Sequence, residues 1–451
     1  MGDIVGYYAH ADAHIAQEAV LAAHHAKTSW GQAPLMERSR LLQSVSKGLE
    51  VRIDEISMIL SREEGKTLPE ARGEVQRAAD IFNYYANEIF RKPGEVHDSI
   101  RHGVTIEITR EPIGVVLLIT PWNLPIAIPA WKVAAALAYG NCVVLKPSEV
   151  APGSAWLLTE IIHLAGFPKG VFNLVMGTGS NLGKAMIEQP EVAGISFTGS
   201  VATGRHIANT AISSCKKLQL EMGGKNALIV LDDAELNLAV ECAIDGAFFA
   251  TGQRCTASSR IIVTKGIYEV FVSEFLRRTS ELRIGDALDS RTQIGPVASR
   301  VQFERDLSYI ELAASEGGKV TGGEVLKSQH EGFFLSPCLV TDIPNDSRVC
   351  REEIFGPIAC VIPVADYDEA LATANDTEFG LSSGICTTSL KYASHFRRHS
   401  QAGLAMINMP TSGVDFHVPF GGRKSSSYGS REQGQHAVEF FTVTKTSYIR
   451  A

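Results

Sequence analysis

A cysteine among small and polar residues has the clearest capacity for chemistry in this chain. Cys255 lies in Ala250-Thr-Gly-Gln-Arg-Cys-Thr-Ala-Ser-Ser259, a composition that favours a turn where backbone and substrate approach closely. A thiol attacks as its thiolate. A nucleophilic role therefore requires a group that lowers the thiol pKa, a donor to the negative charge formed on the substrate, and a base. A free cysteine is otherwise more often a small buried hydrophobic residue.

Two polar side chains that follow predicted strands are candidates for the donor and the base. Asn123 lies in Pro121-Trp-Asn-Leu-Pro125, where two prolines stiffen the turn, and its amide can donate to an oxyanion or cap the following helix. Glu221 lies in Glu221-Met-Gly-Gly-Lys225 and is either a base on water or an ion-paired or solvated carboxylate. Because no histidine is close to Cys255 in the sequence, a carboxylate base is favoured.

Four loops contain groups typical of nucleotide sites. Lys146-Pro-Ser-Glu149 can bind ribose hydroxyls or form a surface ion pair. Phe197-Thr-Gly-Ser-Val-Ala-Thr-Gly204 opens a helix whose N–H groups can receive a pyrophosphate. Gly177-Thr-Gly-Ser-Asn-Leu-Gly183 has one residue too many for the standard glycine fingerprint. Glu352-Glu-Ile-Phe-Gly-Pro357 offers a carboxylate and an aromatic ring, or forms a capping and packing turn.

Length and composition limit the class of protein. A chain of 451 residues is expected to form two or three domains. The net charge of −8, with scattered basic residues, argues against nucleic acid as a partner. The eight cysteines form no C-x-x-C pair, which argues against zinc and against disulfides and favours the cytoplasm. The start lacks a secretory signal, and prolines and Lys132 interrupt the apolar stretch 114–137, so no membrane span is expected.

The periodicity of the sequence predicts an α/β fold. Residues 11–92 are expected to be helical, and Arg91-Lys-Pro-Gly94 ends that block. Short apolar runs then alternate with helical stretches, which indicates a doubly wound parallel sheet with ligands at the carboxyl ends of its strands. These runs are 114–120, 142–145, 171–175, 192–196 and 218–221.

A second α/β block is expected after Gly223-Gly224, with strands at 261–264, 358–362 and 404–407 and helices around 268–282 and 300–316. The junction places Cys255 close to a domain boundary, where active-site clefts commonly lie. Residues 104–109 alternate apolar and polar side chains as an edge hairpin or arm does, and 439–448 is predicted to be a β tail.

Taken in order, seven motifs resemble those of the NAD(P)-dependent aldehyde dehydrogenase superfamily, over nearly the whole chain. The motifs are Pro121-Trp-Asn-Leu-Pro125, Lys146-Pro-Ser-Glu149, Phe197-Thr-Gly-Ser200, Glu221-Met-Gly-Gly-Lys225, Gly252-Gln-Arg-Cys255, Glu352-Glu-Ile-Phe-Gly-Pro357 and Pro419-Phe-Gly-Gly422. The resemblance implies a Rossmann-type cofactor domain of residues 1–93 and 114–223, a catalytic domain of 224–436, and an oligomerisation arm of 94–113 and 437–451. A homodimer or homotetramer is expected.

The resemblance also implies roles for individual residues. Cys255 attacks an aldehyde, the Asn123 side chain and the Cys255 backbone N–H stabilise the oxyanion, and hydride passes to NAD or NADP. Glu221 activates the water that hydrolyses the thioester, and Lys132 with Glu432 relays protons. The positions expected at the cofactor are Trp122, Lys146, Ser148, Glu149, Gly177, Phe197, Gly199, Ser200, Gly204, Glu353 and Phe355.

Residues 411–434 limit the class of substrate. Their sequence most resembles that of dehydrogenases acting on 2-oxoglutarate semialdehyde (2,5-dioxopentanoate). An acidic aldehyde needs a cation, and Arg254 is the candidate because it adjoins the nucleophile, where it would also favour the thiolate. Succinate semialdehyde is an alternative substrate. Another is an aromatic aldehyde lined by Trp131, Phe416 and Phe420. Glu221 argues against a CoA-acylating enzyme, and intact Cys255, Asn123 and Glu221 argue against a non-catalytic binding or structural protein.

Overall fold

The structure is a computed structural model that describes residues 4–91, 94–327 and 331–450. Lys92 and Pro93, predicted to end the first helical block, lie outside these residues. The α-helices of the described residues are α1 Ala13–Gly31, α2 Leu35–Val51, α3 Ile53–Glu64, α4 Leu68–Glu88, α5 Ala127–Ala138, α6 Pro152–Leu164, α7 Gly179–Ile187, α8 Val201–Ile212, α9 Leu236–Phe248, α10 Lys265–Ser280, α11 Arg300–Ser315, α12 Arg348–Arg351, α13 Tyr367–Asn375, α14 Leu390–His399 and α15 Val438–Phe441.

The strands form two large sheets and two small ones. They are β1 Glu95–Asp98, β2 Val104–Pro112, β3 Val115–Ile119, β4 Cys142–Lys146, β5 Phe172–Leu174, β6 Val192–Thr198, β7 Lys217–Glu221, β8 Asn226–Val230, β9 Ser258–Thr264, β10 Lys319–Gly322, β11 Cys338–Thr341, β12 Ile358–Val364, β13 Phe379–Gly380, β14 Ser382–Cys386, β15 Leu404–Ile407, β16 Arg423–Lys424, β17 Ser427–Gly429 and β18 Thr442–Arg450. A two-stranded pair joins β13 to β16.

The first large sheet has the order β17-β7-β6-β3-β4-β5, with every neighbouring pair parallel except β17 with β7. Strands β3 and β4 read as continuous apolar runs because helices cover both faces of the sheet, and their side chains are almost all buried. The carboxyl ends of β3, β4, β6 and β7 therefore present their following loops along one edge of the sheet.

The second large sheet has the order β10-β11-β12-β9-β8-β14-β15, with only β10 antiparallel among the described strands. The chain passes from the first sheet to the second within the four residues 222–225, between β7 and β8. Residues 427–429 return to the first sheet, where Ser427 lies opposite Glu221.

A separate three-stranded sheet has the order β1-β2-β18. The side chains of β1 are exposed and most of those of β18 are exposed. The tail differs from the prediction, since Val438–Phe441 is helical and the strand begins only at Thr442. Phe440 and Phe441 are buried in the hydrophobic core around the first large sheet, so packing outweighs the β preference of this aromatic run.

No helix in the described part of the chain is long and apolar enough to cross a membrane. The segment 114–137 instead forms β3, a loop and all of α5 except its last residue, and the side chains of α5 are buried.

Candidate active site

The nucleophile candidate follows a turn of unusual backbone conformation. Ala250, Thr251 and Gly252 have φ angles of 53°, 56° and 66°, in the left-handed region. A side chain at Gly252 would meet the Gly356 carbonyl oxygen at 2.2 Å, so only glycine fits that close approach. The turn ends α9 and directs Cys255 toward the loops of the first sheet.

A cavity of about 150 Å³ contains Cys255. It joins seven of the predicted site residues: Trp122, Asn123, Gly199, Ser200, Cys255, Glu353 and Phe355. Loops after β3 and β6 and the loop before β12 thus face the same space as the cysteine.

The Cys255 thiol is partly exposed, and burial raises its pKa to about 12, with Glu353 and Glu221 adding negative charge nearby. The net shift is opposite in direction to the one expected from Arg254, because desolvation of the thiol is its largest cause. Leu381, Val414 and Phe420 form a small apolar cluster against which Cys255 packs. One side of the thiol is apolar and the other faces the cavity.

Arg254 turns toward Asp245 on α9. Its guanidinium donates to the Asp245 carboxylate at 3.2 and 3.3 Å and to the Asp245 backbone carbonyl. Arg254 does not line the cavity that contains Cys255. A substrate carboxylate would have to compete with Asp245 for this cation.

Asn123 is buried next to the nucleophile turn. Its side-chain Nδ2 donates to the Gln253 carbonyl oxygen at 2.9 Å. A primary amide has two N–H donors, so this bond leaves the second one for an oxyanion in the cavity. Asn123 does not cap the following helix, because the N-cap position of α5 is Ile126 and no side chain caps it.

Glu221 ends β7 and is buried. Its Oε2 accepts a hydrogen bond of 2.5 Å from the Ser427 hydroxyl. Burial raises the pKa of Glu221 well above its usual range, Glu432 raises it further, and the Ser427 bond opposes the shift. Glu221 is not among the residues that line the cavity with Cys255.

Lys132 and Glu432 form a buried ion pair behind Glu221. Lys132 also donates to the Ser196 hydroxyl at 2.6 Å, and Ser196 donates to Gln219 at 2.8 Å. Trp131 donates its indole N–H to Glu432 at 2.8 Å. Trp131 is thus tied to this ion pair, whereas the sequence assigned it to the substrate pocket.

The two phenylalanines assigned to the substrate take different positions. Phe420 lies in the apolar cluster on which Cys255 packs, with its ring 5.8 Å from that of Trp131. Phe416 is half-buried and packs against Tyr84 of α4, with ring centroids 6.1 Å apart.

The predicted cofactor residues beyond the cavity lie along the same sheet edge. Lys146 Nζ is 3.1 Å from Glu149 Oε2, and Ser148 accepts from the Val150 N–H at 3.2 Å. Gly177 follows β5, with its backbone at φ 148° where a side chain would meet Leu182. Phe197 and Gly204 do not line the cavity. They pack together, because Gly204 leaves space for Met222 and the Phe197 ring.

Glu353 and Phe355 form the far wall of the cavity. Glu353 Oε1 accepts from the Gly224 N–H at 2.8 Å, and burial raises its pKa. Phe355 has φ 72°, and its ring lies edge-on to Trp122 at 5.4 Å. Gln302 and Arg305 of α11 also line the cavity, although the sequence analysis did not single them out.

The sequence model of the aldehyde dehydrogenase family matches residues 1–447. The chain belongs to the aldehyde dehydrogenase family. It is 44% identical to the alpha-ketoglutaric semialdehyde dehydrogenase of Bacillus subtilis (strain 168), across 100% of this chain and 93% of that protein.

Two further matches agree with this membership. The 2,5-dioxopentanoate dehydrogenase of Saccharolobus solfataricus is 38% identical, over 93% of this chain and 88% of that protein. The crystal structure of betaine aldehyde dehydrogenase from Staphylococcus aureus in complex with NAD+ has a TM-score of 0.97 at 32% identity, over 99% of this chain and 90% of that one. The predicted family, the α/β fold class and the oxidoreductase assignment are confirmed.

Several contacts of this aldehyde dehydrogenase were not predicted from its sequence. Ser427 bonds Glu221, and Lys66 bonds the backbone of Asn123 at 2.7 Å. The only local signal near Lys66 was Thr67-Leu-Pro-Glu70, a capping-box pattern that marks a helix start. That pattern locates α4 but not the loops that it contacts.

Proposed function

We propose that this aldehyde dehydrogenase oxidises an acidic semialdehyde, 2,5-dioxopentanoate, to the dicarboxylic acid with NAD+ or NADP+. The observation that carries the proposal is the shared cavity of Cys255 and the Asn123 side chain, with Glu221 buried beside it. The substrate assignment is supported by the Bacillus subtilis and Saccharolobus solfataricus relatives, whose names specify this aldehyde.

In the first step, the Cys255 thiol loses its proton to water, and its sulfur attacks the aldehyde carbon to form a thiohemiacetal while the carbonyl electron pair moves to the oxygen. The second Asn123 amide N–H and the Cys255 backbone N–H donate to the oxygen that becomes negative. Removal of one such donor typically costs about 3 to 4 kcal/mol of barrier. Because the Asn123 side chain is anchored on Gln253, the donor is oriented before the substrate arrives.

The residues around the cavity fit a dinucleotide. Thr120 and Thr198 have buried hydroxyl oxygens with no hydrogen-bond partner among the described residues, as expected of groups that await a polar ligand. The N-terminus of α8, capped by Ser200, suits a pyrophosphate. Lys146, Glu149 and Glu353 would hold ribose hydroxyls. The other residues predicted at the cofactor would shape the loops around it. When bound, the dinucleotide would supply the acceptor for the hydride that the thiohemiacetal carbon loses, which leaves a thioester on Cys255.

Glu221 then takes a proton from water, which hydrolyses the thioester on Cys255. Since the carboxyl is buried and bonded to Ser427, it must lose its proton and turn toward the cavity to act. The buried Lys132 and Glu432 pair, whose charges act on Glu221 and whose partners both contact Ser196, would take up and relay that proton.

Alternatives within the family differ in the aldehyde. Succinate semialdehyde also carries a carboxylate and would use the same cation, Arg254. An aromatic aldehyde would be favoured by Phe420 and the apolar cluster around Cys255, but Trp131 is committed to Glu432. Glu221 favours hydrolysis over transfer of the acyl group to CoA.

We also propose the domain and assembly assignments made from the sequence: cofactor domain 1–93 and 114–223, catalytic domain 224–436, and arm 94–113 and 437–451. A homodimer or homotetramer is supported by large apolar side chains that the arm exposes, including Val96, Tyr448 and Ile449. A cytoplasmic location is supported by eight free cysteines.

A substrate panel tests the function. Formation of reduced cofactor is followed by absorbance with 2,5-dioxopentanoate, succinate semialdehyde, benzaldehyde and propanal, each with NAD+ and with NADP+. The proposal expects the highest kcat/KM for 2,5-dioxopentanoate. A preference for benzaldehyde or propanal would contradict the acidic substrate, and no reduced cofactor with any aldehyde would contradict the activity.

A further inference from the structure

A buried ion pair on the first helical layer contacts the loop that carries Asn123. The Lys66 ammonium lies 2.6 Å from Glu74 Oε2 and donates to the Asn123 backbone carbonyl at 2.7 Å. Lys66 and Glu74 are 3% and 5% exposed. Neither side chain lines the Cys255 cavity, so both act on the site only through its backbone.

Glu74 holds the other end of the same loop. Its Oε1 accepts from the Ile126 and Ala127 N–H groups, each at 3.0 Å, at the start of α5. One carboxylate therefore bonds Lys66 with one oxygen and the α5 N-terminus with the other. The loop is therefore fixed at the Asn123 carbonyl and again at the Ile126 and Ala127 N–H groups, both just after the Asn123 side chain.

The same segment also reaches the nucleophile turn. Glu70, one helical turn before Glu74, accepts from the Ala250 N–H at 2.8 Å and from the Thr67 N–H at 2.9 Å. The segment from Lys66 to Glu74 thus contacts both loops that supply the proposed oxyanion donors. Two loops far apart in the sequence are held against one rigid helix start.

We propose that Lys66 and Glu74 are positioning residues that orient the Asn123 amide for the oxyanion. The proposal rests on the proposed function, because it requires that Asn123 stabilises the thiohemiacetal oxygen. Removal of the Lys66 charge frees the Asn123 carbonyl and lets the amide shift relative to Cys255. A misplacement of about 1 Å can cost about 10²-fold in rate, so Lys66→Met is expected to slow thiohemiacetal formation and hydride transfer by about tenfold or more.

The test is a double-mutant cycle in the full chain, measured as the single-turnover rate of reduced-cofactor formation. Lys66→Met and Glu74→Gln are each made alone and with Asn123→Ala. The expected result is that either change slows the wild-type reaction but adds little in the Asn123→Ala background, while the Kd for NAD+ stays the same. Glu74→Gln keeps an acceptor for the α5 N–H groups and serves if Lys66→Met does not fold.

Lys216→Met is the matched control. Lys216 is also buried, and its ammonium donates to the backbone carbonyls of Gln189 and Val192. These groups lie at the amino ends of β6 and β7, whereas the Cys255 cavity lies at the carboxyl ends. Equal slowing by Lys66→Met in both backgrounds, or no more slowing than Lys216→Met causes, would overturn the positioning role. If Asn123→Ala alone left the rate unchanged, the oxyanion role in the proposed function would fail, and the positioning role with it.

Discussion

The Ser427 hydroxyl donates to Glu221 Oε2 at 2.5 Å, across the antiparallel pair of β17 and β7. The Gly422 N–H in turn donates to the Ser427 oxygen at 2.6 Å, so the hydroxyl hydrogen is directed at the carboxylate. Gly421 leaves room for Glu221, since a side chain there would lie 2.6 Å from Oε1. Ser427 therefore stabilises the charged form of Glu221 in its buried orientation.

Ser427→Ala is expected to raise the pKa of Glu221, because the hydrogen bond opposes the effect of burial. Loss of a hydrogen bond to a charged group corresponds to a shift of about one pH unit. The pH profile of thioester hydrolysis, measured by rapid mixing, should move upward by that amount. Ser425→Ala is the control, since Ser425 bonds Arg205 rather than Glu221; an equal shift there would exclude a specific effect of Ser427.

The hydrolysis step of the wild-type enzyme is expected to accelerate as pH rises. Because the pKa of Glu221 is raised, the carboxyl is protonated at low pH and becomes a base only as the pH rises through that pKa. Glu221→Gln should slow hydrolysis by about 10² to 10⁴-fold and abolish the increase of its rate with pH. The first equivalent of reduced cofactor should still form. A pH-independent hydrolysis rate down to about pH 5, near the ordinary glutamate pKa, would contradict the buried base.

Alkylation of Cys255 by iodoacetamide should accelerate with pH without a plateau in the neutral range. Burial raises the pKa of this thiol to about 12, so the thiolate fraction grows about 10²-fold between about pH 7 and about pH 9. Peptide mapping by mass spectrometry separates Cys255 from the exposed Cys215. A rate that levels off below about pH 8 would mean that the thiol is already ionised.

The preference for an acidic over a neutral aldehyde is expected to depend on the ion pair of Arg254 and Asp245. If the guanidinium leaves Asp245 to bind the substrate carboxylate, Arg254→Gln lowers kcat/KM for 2,5-dioxopentanoate relative to propanal. Asp245→Asn should raise the same ratio, because it removes the competing carboxylate. Unchanged ratios in both variants would assign Arg254 a structural role and leave the acidic substrate to another group.

The sequence predicted the residues of the site better than the contacts that hold them. Cys255 and Asn123 were singled out by local sequence and by seven motifs in family order, and both line one cavity. The edge where they meet follows from parallel strand order. The Lys66 to Asn123 and Ser427 to Glu221 bonds span 57 and 206 residues of sequence, and no local pattern encodes them. Arg254 was placed beside the thiol by adjacency, but the side chain follows the nearest carboxylate, Asp245.

The most direct test of the account is to trap the acyl group on the sulfur. Glu221→Gln enzyme is mixed with 2,5-dioxopentanoate and NAD+, quenched in acid, and analysed by mass spectrometry together with the amount of reduced cofactor. The account predicts one acyl adduct on the peptide that contains Cys255 for each reduced cofactor formed, and neither product in the Cys255→Ala protein. Reduced cofactor without an adduct at Cys255, or undiminished turnover by Cys255→Ala, would contradict it.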